Sequence, residues 1–304
     1  MQRTAIITGA NTGLGYESTK ALAAKGFHIV MACRDMAKAD AAASRIRKAV
    51  PGASLETAHL DLIDRPSIAA FAEAFRDKHD RLDILLNNAG VMGPDYTITK
   101  NGVELQLDAN HLGHFLLTKY LLPVLEATDG ARIVNVSSLA GKRPTSDIHF
   151  DNLNFENGAY DAGETFMGLT GMLAYQQSKL ANILFALELA DRLEAKGSDI
   201  TVALAHPGAS YTDLARNVPA LLRFAAPILI KFMAVSKPPE GAQSLVYAAT
   251  EPDVKSRDFI GPTGKEERIG PPGHVALPDN ARDEQLRDRF WALSEELVGE
   301  TFAV

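Results

Sequence analysis

Tyr175 and Lys179 stand four residues apart in Tyr175-Gln176-Gln177-Ser178-Lys179, and on a helix that spacing puts both side chains on one face. The pair has chemical content. A free tyrosine has a pKa of about 10. A neighbouring ammonium group favours the phenolate and lowers that value, and a tyrosine so tuned can pass a proton near neutral pH. In the double serine Ser137-Ser138, the second hydroxyl could hydrogen-bond a substrate oxygen as charge develops on it. Taken alone, the Tyr/Lys pair is equally a helix surface with a snorkelling lysine. Tyr160 has no lysine at the required spacing, so the proton-transfer role is assigned to Tyr175.

A second cluster could hold a cofactor. The run Thr8-Gly9-Ala10-Asn11-Thr12-Gly13-Leu14-Gly15 follows the apolar Ala5-Ile6-Ile7 and precedes a helical pattern. Strand, glycine turn and helix in that order form a dinucleotide-binding unit. Glycines permit a tight turn and close approach of a pyrophosphate, and the helix N-terminus offers free N–H groups and partial positive charge. Such a turn also occurs for purely structural reasons. The next predicted strand ends in Ala32-Cys33-Arg34-Asp35. An acidic strand end would accept from a ribose 2′-hydroxyl and repel a 2′-phosphate. Here a neutral Cys33 precedes Arg34, whose guanidinium suits a phosphate, so NADP(H) is expected over NAD(H). The structural alternative is a surface Arg34, with Asp35 capping the next helix. Asp61 could accept from an adenine amino group or serve as a turn residue ahead of Asp64 and Pro66. In Asn87-Asn88-Ala89-Gly90, small residues let the backbone run close to a ring or ribose, while asparagine side chains can tie neighbouring loops together.

The elements that must position these residues alternate. Strands are expected at 4–8, 28–32, 54–59, 84–87, 132–137, 201–205 and 258–261. Helices are expected at 14–25, 36–50, 66–78, 103–125, 174–196, 239–250 and 282–298. Residues 142–170, 210–238 and 261–280 are irregular. This order predicts an α/β fold, a Rossmann-type doubly wound parallel sheet with helices on both faces and ligands at the carboxyl ends of the strands. With 304 residues, 46% of them hydrophobic, the chain can form a single domain over 1–304 with a large core. The net charge of −7 gives no electrostatic case for nucleic-acid binding. A lone cysteine, Cys33, excludes an intramolecular disulfide, and no secretory apolar region precedes the first strand, so the expectation is a cytoplasmic protein. The apolar stretch 218–235 is broken by Arg223, Pro227 and Lys231, which argues against a membrane span and for a substrate-covering segment over 210–238. No metal-ligand pattern is expected. A homo-oligomer is left open, because the apolar stripe of the tyrosine helix is explained as well by packing on the sheet.

The glycine run, the Asp61 turn, Asn88-Ala89-Gly90, Asn110, the double serine, Tyr175 to Lys179 and His206-Pro207-Gly208-Ala209-Ser210-Tyr211-Thr212 occur in this order. Together they resemble the short-chain dehydrogenase/reductase superfamily over about residues 3–212. Ala32 to Asp35, Asn110 to Phe115 and Ala174 to Asn182 are similar to its retinol dehydrogenase-like and protochlorophyllide reductase-like branch. The resemblance implies a pyrophosphate turn at Gly9, Asn11, Thr12, Gly13, Leu14 and Gly15. It implies an adenine contact at Asp61 and Leu62, and a strand end along the cofactor at Asn88, Ala89 and Gly90. Asn110 matches the asparagine that holds a proton-relay water, Ser138 the oxygen-polarising serine and Tyr175 the general acid/base. Lys179 matches the residue that binds the nicotinamide ribose, and Pro207, Gly208 and Thr212 the segment that seats the nicotinamide. Ser138 and Tyr175 stand 37 residues apart, wider than the family pattern, so 142–173 contains an insertion beside the site, expected to contact substrate.

The resulting expectation is an NADP(H)-dependent oxidoreductase of a lipophilic aldehyde, ketone or alcohol. The apolar Leu221, Leu222, Phe224, Ile228 and Phe232 suggest the lipophilic substrate. Two alternatives are a non-catalytic NADP(H)-binding sensor or scaffold and a reductase of a tetrapyrrole double bond. The intact Ser138, Tyr175, Lys179 and Asn110 argue against the first. The absence of a cysteine from the insertion argues against the second, since that branch is expected to use one there.

Overall fold

The computed structural model describes residues 2–161, 171–209 and 236–304. Eight strands form one sheet in the order β3-β2-β1-β4-β5-β6-β7-β8. They are β1 (Thr4–Thr8), β2 (His28–Cys33), β3 (Ser54–His59), β4 (Ile84–Asn87), β5 (Arg132–Val136), β6 (Thr201–Ala205), β7 (Phe259–Pro262) and β8 (Pro272–Val275). The first seven run parallel, and β8 pairs antiparallel with β7. The inner strands are apolar at nearly every position because helices cover both faces. Ile6 faces one layer, and Ala5 and Ile7 the other.

On one face lie α1 (Gly13–Ala24), α2 (Met36–Ala49) and, from later in the chain, the helix Pro238–Thr250. The other face carries α3 (Arg65–Lys78) and α4, built of three pieces: Leu105–Leu107, a π-helical turn Asp108–Leu112, and Gly113–Glu126. Beside them pack α5 (Met172–Ala195) and the last helix. In chain order, Pro238–Thr250 is α6 and Glu284–Val298 is α7. The tail clasps this layer: Phe290, Trp291 and Phe302 pack against Phe115 and Phe185, and Arg287 pairs with Asp191 at 2.7 Å.

The predicted doubly wound sheet is present, with two departures. The expected irregular stretch 261–280 contains β8, an antiparallel edge strand that starts on a proline, as an edge tolerates. The expected unbroken helix 103–125 is instead interrupted by the π turn. Asp108 is fully buried there and takes hydrogen bonds from Arg65 at 2.7 Å, Thr99 at 2.6 Å and Asn101 at 2.8 Å. These contacts come from two other places in the chain, and hydrophobic periodicity carries no trace of them.

Candidate active site

Helix α5 is buried along most of its length, which sets the environment of both residues first singled out: Tyr175 is 6% exposed and Lys179 4%. Lys179 is therefore not a snorkelling surface residue. Its Nζ donates to the Val136 carbonyl at the end of β5 (3.2 Å) and lies 5.8 Å from the centroid of the Tyr175 ring. Ser137 Oγ donates to the Lys179 carbonyl at 2.8 Å, fastening α5 to the carboxyl end of β5. Ser138 caps the short 3₁₀ turn Leu139–Lys142, its oxygen accepting from Ala140 N at 3.2 Å. That cap leaves the half-buried hydroxyl its own hydrogen to donate.

Asn110 sits in the π turn, and such turns often mark functional sites. Its Oδ1 accepts from Val91 N at 2.7 Å, and its Nδ2 donates to Val91 O at 2.9 Å and Ser178 Oγ at 3.0 Å. A Cβ added to Gly90 would lie 3.1 Å from Asn110 Oδ1 and 3.4 Å from Lys179 Nζ, so the glycine is what lets the β4 loop pass the ammonium. The ends of β4 and β5, the π turn and α5 therefore converge on Lys179.

Sequence reasoning missed the chain of hydrogen bonds behind Asn110. His114 Nδ1 meets the Asn110 carbonyl at 3.0 Å, and its Nε2 meets Thr8 Oγ1 at 2.9 Å. A carbonyl only accepts, so Nδ1 carries the proton and Nε2 accepts from Thr8. Thr8 Oγ1 in turn accepts from the amides of Asn88 and Ala89, each at 2.9 Å. Burial holds the His114 pKa down to about 4, and the Lys179 charge adds to the effect, so the imidazole is neutral. The end of β1 is thus coupled to the π turn. A buried histidine in an apolar helix gives no such signal in sequence.

At the other end of the cleft, Gly9 and Gly13 have φ of +67° and +56°. A Cβ added to Gly15 would strike the Gly9 carbonyl and lie 2.7 Å from Asn88 Nδ2. Thr12 precedes α1 without a side-chain cap, so no side-chain oxygen takes up the first amides of the helix. A cradle closed to any side chain, at an uncapped helix N-terminus, fits a pyrophosphate. Asn11 and Leu14 lie within this turn, where the chain leaves β1 for α1. Cys33 is buried beside the backbone of Ala10 and Asn11, and burial pushes its thiol up to about 11. Arg34 is exposed just beyond β2, with no hydrogen bond or ion pair to the described residues, while Asp35 caps α2 through Lys38 N at 3.0 Å. The structural alternative thus holds for Asp35.

Asp61 makes a turn, its Oδ1 accepting from Ile63 N at 3.2 Å, beside a buried Leu62. Asn88 Nδ2 donates to Thr8 O at 2.7 Å, so the loop-tying reading holds there. Pro207 and Gly208 follow β6, and the Ala209 amide donates to Arg268 O at 3.0 Å. Thr212 and the apolar residues of 218–235 lie outside the described residues, as does 162–170 of the insertion. The part of the insertion that is described is anchored to the rest of the fold. His149 N donates to Gln177 at 2.9 Å, and Asn154 accepts from Glu104 N at 2.9 Å. The Tyr160 hydroxyl donates to Pro94 O at 2.7 Å from a site where burial raises its pKa, consistent with a packing role.

Glu267 joins two loops of this wall. It accepts from His206 Nε2 at 3.0 Å and pairs with Lys142 at the end of the Ser138 turn. Burial would raise its pKa, but these two partners hold its carboxyl below the usual range. Glu267→Gln keeps the shape and leaves the Lys142 ammonium without its counter-charge. The expected cost is about 1.5–3 kcal/mol of stability by urea unfolding; an unchanged midpoint would show that the pair holds nothing.

The short chain dehydrogenase family profile matches residues 3–149. The chain is 40% identical over 303 residues to human Retinol dehydrogenase 13 (Homo sapiens), covering 98% of this chain and 85% of that protein. It is 38% identical over 316 residues to human Retinol dehydrogenase 14, covering 98% and 86%. Its fold matches the crystal structure of an uncharacterized protein from Mycobacterium paratuberculosis with a TM-score of 0.78 at 36% identity, covering 100% and 96%. At 21% identity, salutaridine reductase from Papaver somniferum shares the fold, with a TM-score of 0.66 over 85% of this chain and 99% of that one.

Proposed function

The chain belongs to the short chain dehydrogenase family, in its retinol dehydrogenase-like branch, a family of oxidoreductases with a nicotinamide cofactor, and on that premise we propose that it interconverts a lipophilic alcohol and its aldehyde or ketone with NADP(H). The observation that carries this reading is the placement of Lys179. Its ammonium is buried, held at the end of β5, beside the Tyr175 ring and against Gly90. A buried cation is costly unless it is hydrogen-bonded and paired; the Val136 carbonyl takes one of its hydrogens, and negative charge on the phenolic oxygen would supply a counter-charge.

The cofactor supplies or accepts a hydride at the substrate carbon. In the reducing direction Ser138 donates a hydrogen bond to the carbonyl oxygen, and Tyr175 passes its hydroxyl proton to that oxygen as the alcohol forms. Lys179 holds the nicotinamide ribose and stabilises the phenolate left behind. The side-chain amide of Asn110 is committed to Val91 and Ser178. Its part in returning a proton through water would therefore fall to the main-chain carbonyl, which His114 Nδ1 holds in place at 3.0 Å.

The lipophilic substrate class rests on the names of the relatives, which act on retinol. The NADP(H) preference rests on Arg34, exposed at the strand end with Cys33 in the position an acid would take. Arg34→Ala should raise KM for NADPH about 10- to 100-fold, the worth of a charged hydrogen bond, and leave KM for NADH nearly unchanged; equal losses with both cofactors would remove the phosphate assignment. The reading itself is tested by NADPH oxidation, followed by nicotinamide absorbance, across aliphatic, aromatic, terpenoid and steroid carbonyls. Turnover that Tyr175→Phe abolishes supports it, and NADPH binding without turnover of any carbonyl overturns it.

A further inference from the structure

At the amino end of the sheet, opposite the cofactor cleft, two histidines and a glutamate converge. His28 opens β2, Glu56 lies on the neighbouring β3, and His79 caps the end of α3. Their ligand atoms all lie within 4.8 Å of one another. Glu56 Oε2 is 3.3 Å from His79 Nε2 and 3.7 Å from His28 Nε2. Metal–ligand bonds of 2.0–2.1 Å in a tetrahedral zinc site put neighbouring donor atoms about 3.3–3.4 Å apart. Two of the three donor pairs thus already stand near the edges of such a tetrahedron, and the third is within 4.8 Å.

The surroundings prepare the donors. His28 Nε2 is buried and makes no hydrogen bond. On the far side of the same ring, Nδ1 lies 2.8 Å from Ser54 Oγ. A metal on Nε2 requires the proton on Nδ1, and Ser54 is placed to accept it, the usual outer support of a ligating imidazole. The His79 ring stacks on the buried Phe75 at 4.7 Å between centroids, which fixes its plane. Lys78 takes the other oxygen of Glu56, Oε1, at 2.7 Å and leaves Oε2 to the imidazoles. All three side chains are between 15% and 25% exposed, so an ion has a path in.

We propose that His28, Glu56 and His79 form a site for a divalent transition ion of the zinc type, bound by two imidazole nitrogens and one carboxylate oxygen with water in the fourth position. The ion joins β2, β3 and the end of α3. It lies at the other end of β2 from Arg34, about 20 Å away at about 3.3 Å per residue, and so acts on stability and not on the hydride chemistry.

The test is calorimetric titration of ZnSO4 into untagged, chelator-stripped protein, with Co²⁺ absorption in the visible as a measure of tetrahedral coordination. One Zn²⁺ per chain and a rise in Tm are expected for the wild type. His79→Ala and Glu56→Gln should each weaken binding by about tenfold or more, and Ser54→Ala, which removes no ligand, by up to about tenfold. NADPH affinity checks that each variant is folded and should not change. Absence of saturable binding at sub-millimolar Zn²⁺, or equal affinity in wild type and both ligand variants, would overturn the site. The latter result would place the ion elsewhere, for instance at His274 with Asp253.

Discussion

Tyr175→Phe is expected to lower kcat by about 10²- to 10⁴-fold, the usual worth of a positioned proton donor. The loss should fall on kcat and leave NADPH binding near its wild-type value. Phenylalanine keeps the ring that the Lys179 ammonium faces at 5.8 Å, and it keeps the packing of a residue only 6% exposed, so what is removed is the hydroxyl alone. A loss of kcat with an unchanged cofactor Kd identifies a group acting in the transition state. Lys179→Ala should behave differently. It removes the group proposed to seat the ribose and one of the two side-chain donors to the Val136 carbonyl, Asn182 being the other, so cofactor affinity and kcat are expected to fall together. Near-normal turnover by Tyr175→Phe would remove the residue from the mechanism, and an unperturbed Lys179→Ala would remove its partner.

The second large effect is on stability in acid. Burial pushes the pKa of His111 down to about 3 and that of His114 down to about 4, from an ordinary value of 6.5. Both folded values lie below the unfolded value, so the unfolded chain takes up protons that the fold refuses. The neutral-histidine contribution is therefore complete above pH 6.5. It is lost as the pH falls from about 6.5 towards 4 for His114, and towards 3 for His111. At about 1.4 kcal/mol per pH unit, the loss at pH 5 is about 2 kcal/mol for each histidine and about 4 kcal/mol for the pair, a large part of the stability of an ordinary domain. The structural consequence is local to the site. His111 meets Ser294 of α7 at 2.9 Å, and His114 holds the Asn110 carbonyl, so protonating either strains the π turn against its neighbours. Urea unfolding from pH 7.5 to 4.5 should show this slope in the wild type and a much flatter one in the His111→Asn/His114→Asn double variant. The same slope in both would assign acid sensitivity to other groups.

The parallel strands and most of the helices were legible because most strands are apolar runs and most helices have one apolar stripe. The glycine turn was legible because a side chain at Gly15 has no room. Tyr175, Lys179 and Ser138 were found as a pattern of residue types, and the structure places Lys179 against the strand ends where the pattern needs it. What sequence could not give were contacts between distant segments. Asp108 is held by Arg65 at the start of α3 and by Thr99 and Asn101 beyond its end, and the single Gly113 that follows the break in α4 does not fix where the break starts. His114 looks like one polar residue in an apolar helix until Thr8, 106 residues away, is placed on its ring. The hydrogen-bonding groups of β8 are satisfied by β7, so no pattern of its own was needed. The insertion 142–173 was recognised by the spacing of Ser138 and Tyr175, while its anchoring to α5 through Gln177 depends on where each lies in the fold.

The most direct test of the central claim is to supply NADPH carrying deuterium at the transferable C4 position, together with lipophilic aldehydes that include a retinoid, and to locate the label in the product. The account predicts an alcohol with one deuterium on the carbinol carbon, formed by the wild type and not by Tyr175→Phe. Protein that binds NADPH, yet transfers no deuterium to any carbonyl offered, would contradict it.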